Sequence, residues 1–451
     1  MLLLALGPGL MWCGEYIGSG EVILSTRSGA IFGVSVLWVP VMAIVAKFWI
    51  GLAGAHYTVT TGEGMIDMMG RMPGPKNWVI WPVFFCQACS ASISTAGVAS
   101  AAGAFGAYFI PVSPVILGWI AVLAVIAVVW RGVFASLKQA MSLLVLFIIV
   151  GTVAVAIATW PGTGAVLHGL FGFQLPEPPA WALADGQSVS PWKELLPLLG
   201  WAAGGFASQV WYTYWVLGAG YGMAKDQGYG KPMDADKLKT LTQEDVKNLQ
   251  GWRKLVTLDA TTAVVLGVLV TLAFMIAGAG VLGPKELAPK GPEVALELSH
   301  IFGTQWGTFG AGLFVLAGLA AMLSTMMGQF AGWPRLLADC VRLLAPATKR
   351  WTWKAQFRVF LIAIAASNML IIYNSGKEPV KLVQFGAKLD GLLLTPLQAI
   401  VVGWVLYKVM PTFFAPEHRK ALTPGPLLAI GLASAFLIFG FFCVSKMGEM
   451  F

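Results

Sequence analysis

Charge is scarce in this sequence. Lys, Arg, Asp and Glu make up 11% of its 451 residues, about half of what a soluble chain of this length carries on its surface. That shortage excludes an ordinary soluble domain. The short alternating segments of a membrane β-barrel are missing too, as is a glycine-rich Gly-Lys-Ser/Thr loop that would cradle a nucleotide phosphate. Cysteine is sparse: Cys13, Cys86, Cys89, Cys340 and Cys443 fall mostly in apolar runs, which argues against a disulfide framework. Cys86 and Cys89 form a CxxC inside an apolar run and read as small packing residues. His56, His168, His300 and His418 lie in loops or at run ends, so no nucleophile–His–Asp constellation forms and no enzyme is expected. No basic lead precedes the first apolar run, which reads as a span and not a signal peptide.

What the chain has is apolar length. Hydrophobic residues make up 57%, and runs of about twenty recur from end to end, as in membrane-spanning helices. The class is an all-α polytopic membrane protein. Eleven spans are predicted, at 2–26, 31–55, 78–109, 112–130, 139–159, 195–222, 256–283, 305–333, 355–373, 380–408 and 425–445. The Pro/Gly-rich stretch 160–194 is a long loop, and 223–254 is the most polar segment, with a short helix expected at 234–250.

The net charge of +8 is not a nucleic-acid signature, because the basic residues cluster in short loops. With the N-terminus inside, inner segments hold twenty Lys and Arg and outer segments seven; Lys47 and Lys388 fall within spans. The positive-inside rule therefore puts the N-terminus in the cytoplasm and the C-terminus outside, in the plasma (inner) membrane.

Two spans carry helix-breaking clusters, "GSGE" at 18–21 and "GWAAGGFASQ" at 200–209. They open two five-span halves, 1–159 and 195–408, followed by a loop and an eleventh span over 409–451. Matching breaks in two odd-numbered halves point to an inverted repeat with discontinuous helices 1 and 6. Unwound backbone at membrane depth must line a cavity or be buried in protein, and its freed carbonyls are expected to serve as ligands. Close helix packing explains much of the other glycine, but not Glu21, since intramembrane acids are costly and usually functional. The other intramembrane charges are Glu15, Lys47, Lys388, Asp390 and Asp259; Lys47 and Asp259 are read as structural.

At "GPGLMWCGEYIGSGE" the chain resembles the Nramp metal-ion transporters. The resemblance continues through "GAIFGVSVLWVPVMAIVAKFWIGLAGAHYTVTTGEGM", "RMPGPKNWVIWPV", "LAGLAAMLSTMMGQFAG" and "EPVKLVQFGAKLDGLLLTPLQAI", over most of residues 7–408. It implies the LeuT-like fold with a 5+5 inverted repeat. The departures matter. The family's metal-binding Asp falls on Gly18, its Pro on Ser19 and its Asn on Glu21, while its Met-Pro-His falls on Ala207, Ser208 and Gln209. Its acidic proton-route positions in span three fall on Gln87, Ser94 and Gly97, and a glutamine of span ten falls near Lys388.

This pattern is similar to the Nramp-related magnesium transporters. Without the thioether, soft-metal selectivity is lost. Mg²⁺ wants oxygen and sheds water reluctantly, so the resemblance implies a roomy site. Gly18, Gly204, Gly205 and Ala207 would give space, Glu21 charge, and Ser19, Gln209 and the carbonyls of Gly18 and Ala207 oxygen contacts. Glu15, Lys388 and Asp390 are candidate pathway or charge-pair residues. The expected function is transport of a hard divalent cation, Mg²⁺ or else Mn²⁺, partly hydrated, by alternating access and without proton coupling. No cofactor is expected; the partners are the ion and the lipid bilayer. Two alternatives stay open. One is a carrier of a polar organic solute such as a sugar or amino acid, favoured by Lys388 and by the aromatic run "WYTYW" at 211–215. The other is a non-transporting sensor or scaffold.

Overall fold

A chain crossing lipid must satisfy its backbone internally, and helices do this within one segment. The computed structural model describes residues 7–130, 146–147, 149–183, 190–225 and 227–450, and these are overwhelmingly helical. Span one is α1 (Gly7–Tyr16), a π-helical turn at Gly20–Ser25, and α2 (Thr26–Phe32). Gly33, at φ +64°, ends it. Span two is α3 (Trp38–Thr61), closed by Gly62 in the left-handed conformation with its N–H on Thr58 O. It starts later than its apolar pattern suggested, because residues 31 and 32 complete span one and the turn at Gly33 intervenes. A short helix, α4 (Met65–Gly70), precedes span three, α5 (Ile80–Ala107), and span four, α6 (Pro114–Trp130).

Residues 139–145 and 148 of predicted span five lie outside the described residues, as do residues 2–6 of span one. The rest of span five is α7 (Ile149–Ala158), followed after a 113° bend by α8 (Thr163–Phe171). The stretch expected to be a loop over 160–194 therefore contains a helix. Its Thr163–Phe171 segment is apolar enough to fold against the protein and buries Val166 and Gly169.

Span six is broken into α9 (Pro191–Trp201) and α10 (Phe206–Gly218). In the polar segment, α11 (Ala235–Lys239) ends at Thr240, and α12 (Gln243–Ala277) starts from a Thr242/Asp245 capping box and runs on as span seven. The single helix expected at 234–250 is thus two, since Thr242 caps better than it propagates. Span eight is α13 (Val294–Leu344), kinked at Trp306 and Gly307, and span nine is α14 (Trp353–Ser375). Span ten is interrupted: α15 (Pro379–Lys388), a π-helical turn at Leu389–Leu393, then α16 (Thr395–Trp404). After α17 (Pro416–Leu422), α18 (Pro426–Ser445) is span eleven.

Seven described helices are long and apolar enough to cross a membrane alone. Helices five apart in span order pack on each other: span one on six, two on seven, three on eight, four on nine. The broken spans therefore meet at the centre. Span eleven lies against spans two and ten at the periphery.

Candidate ion-binding site at the broken helices

A helix that stops inside a protein leaves its last carbonyls and first N–H groups without partners. Both breaks create such ends. In span one, Gly14 O accepts from Ser324 Oγ (3.2 Å) and Glu15 O from Thr325 Oγ1 (2.9 Å), both on span eight. Gly18 O accepts from Val22 N at 2.8 Å. In span six the chain leaves the helix through Ala203 (φ +57°) and Gly204 (φ +72°). There the carbonyls of Leu199, Gly200, Ala202 and Gly204 all face Lys47 Nζ, at 3.2, 2.5, 3.1 and 2.8 Å. Gln209 Nε2 donates to Ala203 O (3.1 Å) and Gly205 O (3.4 Å).

This corrects the expectation that the freed carbonyls stand open for a ligand. A buried carbonyl without a donor is costly, and the protein supplies the donors itself. Lys47, read from the sequence as structural, is fully buried, turned onto span six, and forms no ion pair among the described residues.

The helix halves that start at the breaks each have a carboxylate near their first turn, where the helix dipole favours an anion. Glu21 lies in the π turn that opens the second half of span one, and its Oε2 accepts from Gly18 N at 3.4 Å. Asp390, in the π turn of span ten, accepts on Oδ1 from Ala207 N (3.2 Å) in the first turn of α10. The same Oδ1 accepts from Gln87 Nε2 (2.9 Å), and Gln87 Oε1 accepts from Trp333 Nε1 (2.9 Å). Glu15 Oε2 accepts from Ser208 Oγ (2.6 Å), which accepts from Trp12 Nε1 (3.0 Å). Glu15, Glu21, Asp390 and Lys47 are near enough for their charges to act on one another.

The structure brings together Glu15, Gly18, Ser19, Glu21, Ala207, Gln209 and Asp390 at the two breaks, all buried. It does not bring Lys388, which was a candidate partner for these acids. Lys388 is half-buried beside Glu194 and Lys193 on another face. Lys388 and Asp390 are two residues apart, so on a helix they point to different faces. Glu194 in turn pairs with Arg27 at 2.8 Å.

The expected roominess is also corrected. A β-carbon on Gly18 would lie 1.9 Å from Thr325 Oγ1, one on Gly205 1.8 Å from Asp390 Oδ2, and one on Gly204 2.3 Å from Ser208 Oγ. These glycines mark close approach. They do not line open space in this closed arrangement.

The aromatic run 211–215 does not form a free wall for an organic ligand. Trp211 packs edge-on against Trp333, Tyr212 stacks on Trp12 and bonds Asp259, and Tyr214 bonds Asp339. Asp259 holds Gly9 N at 2.7 Å and so fixes the start of α1.

Three buried side-chain oxygens at the breaks have no hydrogen-bond partner among the described residues: Ser19 Oγ, Glu21 Oε1 and Gln209 Oε1. Among the described residues, no three His, Cys, Asp or Glu converge as direct metal ligands. The arrangement offers one carboxylate oxygen, a hydroxyl and an amide, with further charge from Glu15 and Asp390. Sequence reasoning missed Lys47, Ser324 and Thr325 as parts of this centre. The one available signal was Lys47 itself, a basic residue deep in the apolar run 38–61.

Residues 9–192 match the family profile Nramp, natural resistance-associated macrophage protein-like. That stretch, about two fifths of the chain, is similar to the Nramp family. A 77-residue stretch is 31% identical to the divalent metal cation transporter MntH of Yersinia pestis, covering 17% of this chain and 19% of that one. The MntH of Pectobacterium carotovorum matches to the same extent. The chain thus spans about a fifth of the length of the curated relatives it matches. Among solved structures, a manganese transporter of Eremococcus coleocola superposes with a TM-score of 0.67 at 13% identity, over 99% of this chain and 87% of that one. MhsT in complex with L-phenylalanine gives 0.59 at 16% identity, over 99% and 98%. At these identities the likeness shows the fold, which is LeuT-like. At the site described above the chain departs from the Nramp motif that it otherwise resembles.

Proposed function

We propose that this protein is a membrane carrier for a hard divalent cation, Mg²⁺ or Mn²⁺, and that the ion binds partly hydrated between the two broken helices. The observation that carries this reading is Glu21 Oε1, a buried carboxylate oxygen without a partner at the break of span one. Such an oxygen is costly unless something binds it. Ser19 Oγ and Gln209 Oε1 add hard donors at the two breaks. Formally, Glu15, Glu21 and Asp390 against Lys47 leave two negative charges, which one divalent cation balances. Too few protein oxygens converge for a full shell, and this favours an ion that keeps several waters, as Mg²⁺ does.

The names of the relatives, divalent metal cation and manganese transporters, support the cation class. Ala207 replaces the family's thioether, which supports a hard ion. The arguments for an organic solute weaken, since Lys388 lies elsewhere and Trp211, Tyr212 and Tyr214 are engaged within the protein. In this reading the halves 1–159 and 195–408 are the inverted repeats. Transport then requires spans one and six to move apart from spans eight and ten, exposing the breaks to each side in turn. No chemical step is involved.

Calorimetric titration of the purified protein with Mg²⁺, Mn²⁺, Cd²⁺ and a panel of sugars and amino acids tests the proposal. Saturable binding of Mg²⁺ or Mn²⁺ and none of the organic solutes is expected. Binding of an organic solute without either ion contradicts it.

A further inference from the structure

Lys47 is the fully buried ammonium of span two, and its surroundings are unusual for a lysine. A helix-capping lysine commonly reaches one or two of the last carbonyls from a solvent-exposed position. Here four carbonyl oxygens stand 2.5–3.2 Å from Nζ. Two come from the last turn of α9, and two, those of Ala202 and Gly204, from the unwound segment beyond it. An ammonium has three hydrogens, so the acceptors outnumber the donors. That arrangement is ion coordination, in which carbonyl dipoles replace a hydration shell. The Phe439 ring covers Nζ from span eleven at 5.3 Å, and among the described residues no carboxylate forms an ion pair with it. The positive φ values of Ala203 and Gly204 help to turn these oxygens inward.

We propose that this carbonyl cage is a monovalent-cation site whose occupant the chain itself supplies, and that without the Lys47 ammonium the cage takes a free cation of similar size and charge, K⁺ or NH₄⁺. Holding its own cation, the wild-type protein keeps the break of span six in shape without a monovalent ion from solution.

The test reads thermal stability of the full-length protein in detergent, so it does not depend on the carrier reading. Wild type, Lys47→Ala and Lys47→Met are compared in the chlorides of K⁺, NH₄⁺ and tetramethylammonium at equal ionic strength. Binding to the folded state raises the melting temperature by mass action, so Lys47→Ala is expected to gain about 5 °C in K⁺ or NH₄⁺ over tetramethylammonium, and wild type less than about 1 °C. Lys47→Met fills the approach with an uncharged chain and should show no ion response. Recovery of folded Lys47→Ala only in K⁺ or NH₄⁺ would also support the site. The same small response in all three proteins overturns the proposal. So does Lys47→Ala that folds in none of the salts, because the cage is then unable to take a free ion.

Discussion

A β-carbon added to Gly205 would sit 1.8 Å from Asp390 Oδ2, so the carboxylate of span ten occupies the space a side chain would need at the start of α10. Asp390 can reach Ala207 N only because residue 205 is glycine. Gly205→Ala is expected to displace Asp390 and destabilise the protein by about 1–3 kcal/mol, the usual cost of overpacking. Ion uptake should fall at least tenfold even at temperatures where the variant is folded. A thermal melt combined with a liposome flux assay checks both; unchanged flux would remove Asp390 from the site.

The same logic bears on introducing the aspartate that the Nramp motif has where this chain has Gly18. Gly18→Asp alone should fail to bind metal more tightly, because its β-carbon meets Thr325 Oγ1 at 1.9 Å and Thr325 Cβ at 2.9 Å. Combining it with Thr325→Gly removes both contacts and is expected to recover the folded protein. Melting curves of the single and double variants decide this: a single variant as stable as wild type would mean that span one moves freely away from span eight.

Soft ions should gain nothing from this site, since Ala207 brings no thioether. Cd²⁺ is expected to bind no more tightly than Mn²⁺, and Ala207→Met alone should not create a strong Cd²⁺ preference. Calorimetry on wild type, Ala207→Met and Cys13→Ser is the check. Tight Cd²⁺ binding lost in Cys13→Ser would identify Cys13, buried one turn before the break, as a ligand that the account omits.

Divalent influx should proceed without acidification of the liposome interior. Gln87, Ser94 and Gly97 carry no titratable group, and span ten closes over two of them. A β-carbon on Gly386 would meet Ser94 Oγ at 2.3 Å, and one on Gly97 would meet Val383 N at 2.9 Å. Ion-dependent acidification with an internal pH dye, absent from empty liposomes, would show a proton route elsewhere.

Much of the architecture is legible in the sequence because lipid enforces a simple rule, about twenty apolar residues per crossing. The break in span six shows as "GWAAGG", and it is a true unwinding. What the sequence obscures is what the glycines are for. Gly18 and Gly205 read equally well as space or as close approach, and only the positions of Thr325 and Asp390 decide. Likewise, no spacing rule tells that Lys47, some 150 residues earlier in the chain, ends on the carbonyls of residues 199–204. Lys388 misleads because an intramembrane charge draws attention wherever it points, and the charges acting on it are those of Glu194 and Lys193.

The account rests on Glu21, and uptake of Mg²⁺ and Mn²⁺ into proteoliposomes by wild type and Glu21→Gln tests it most directly. Glutamine keeps the shape and can still accept from Gly18 N, so the variant should fold and melt within a few degrees of wild type, on the order of 1 kcal/mol. The account predicts that its flux of both ions falls to the level of empty liposomes. Flux equal to that of wild type, from a variant shown to be folded, would contradict it.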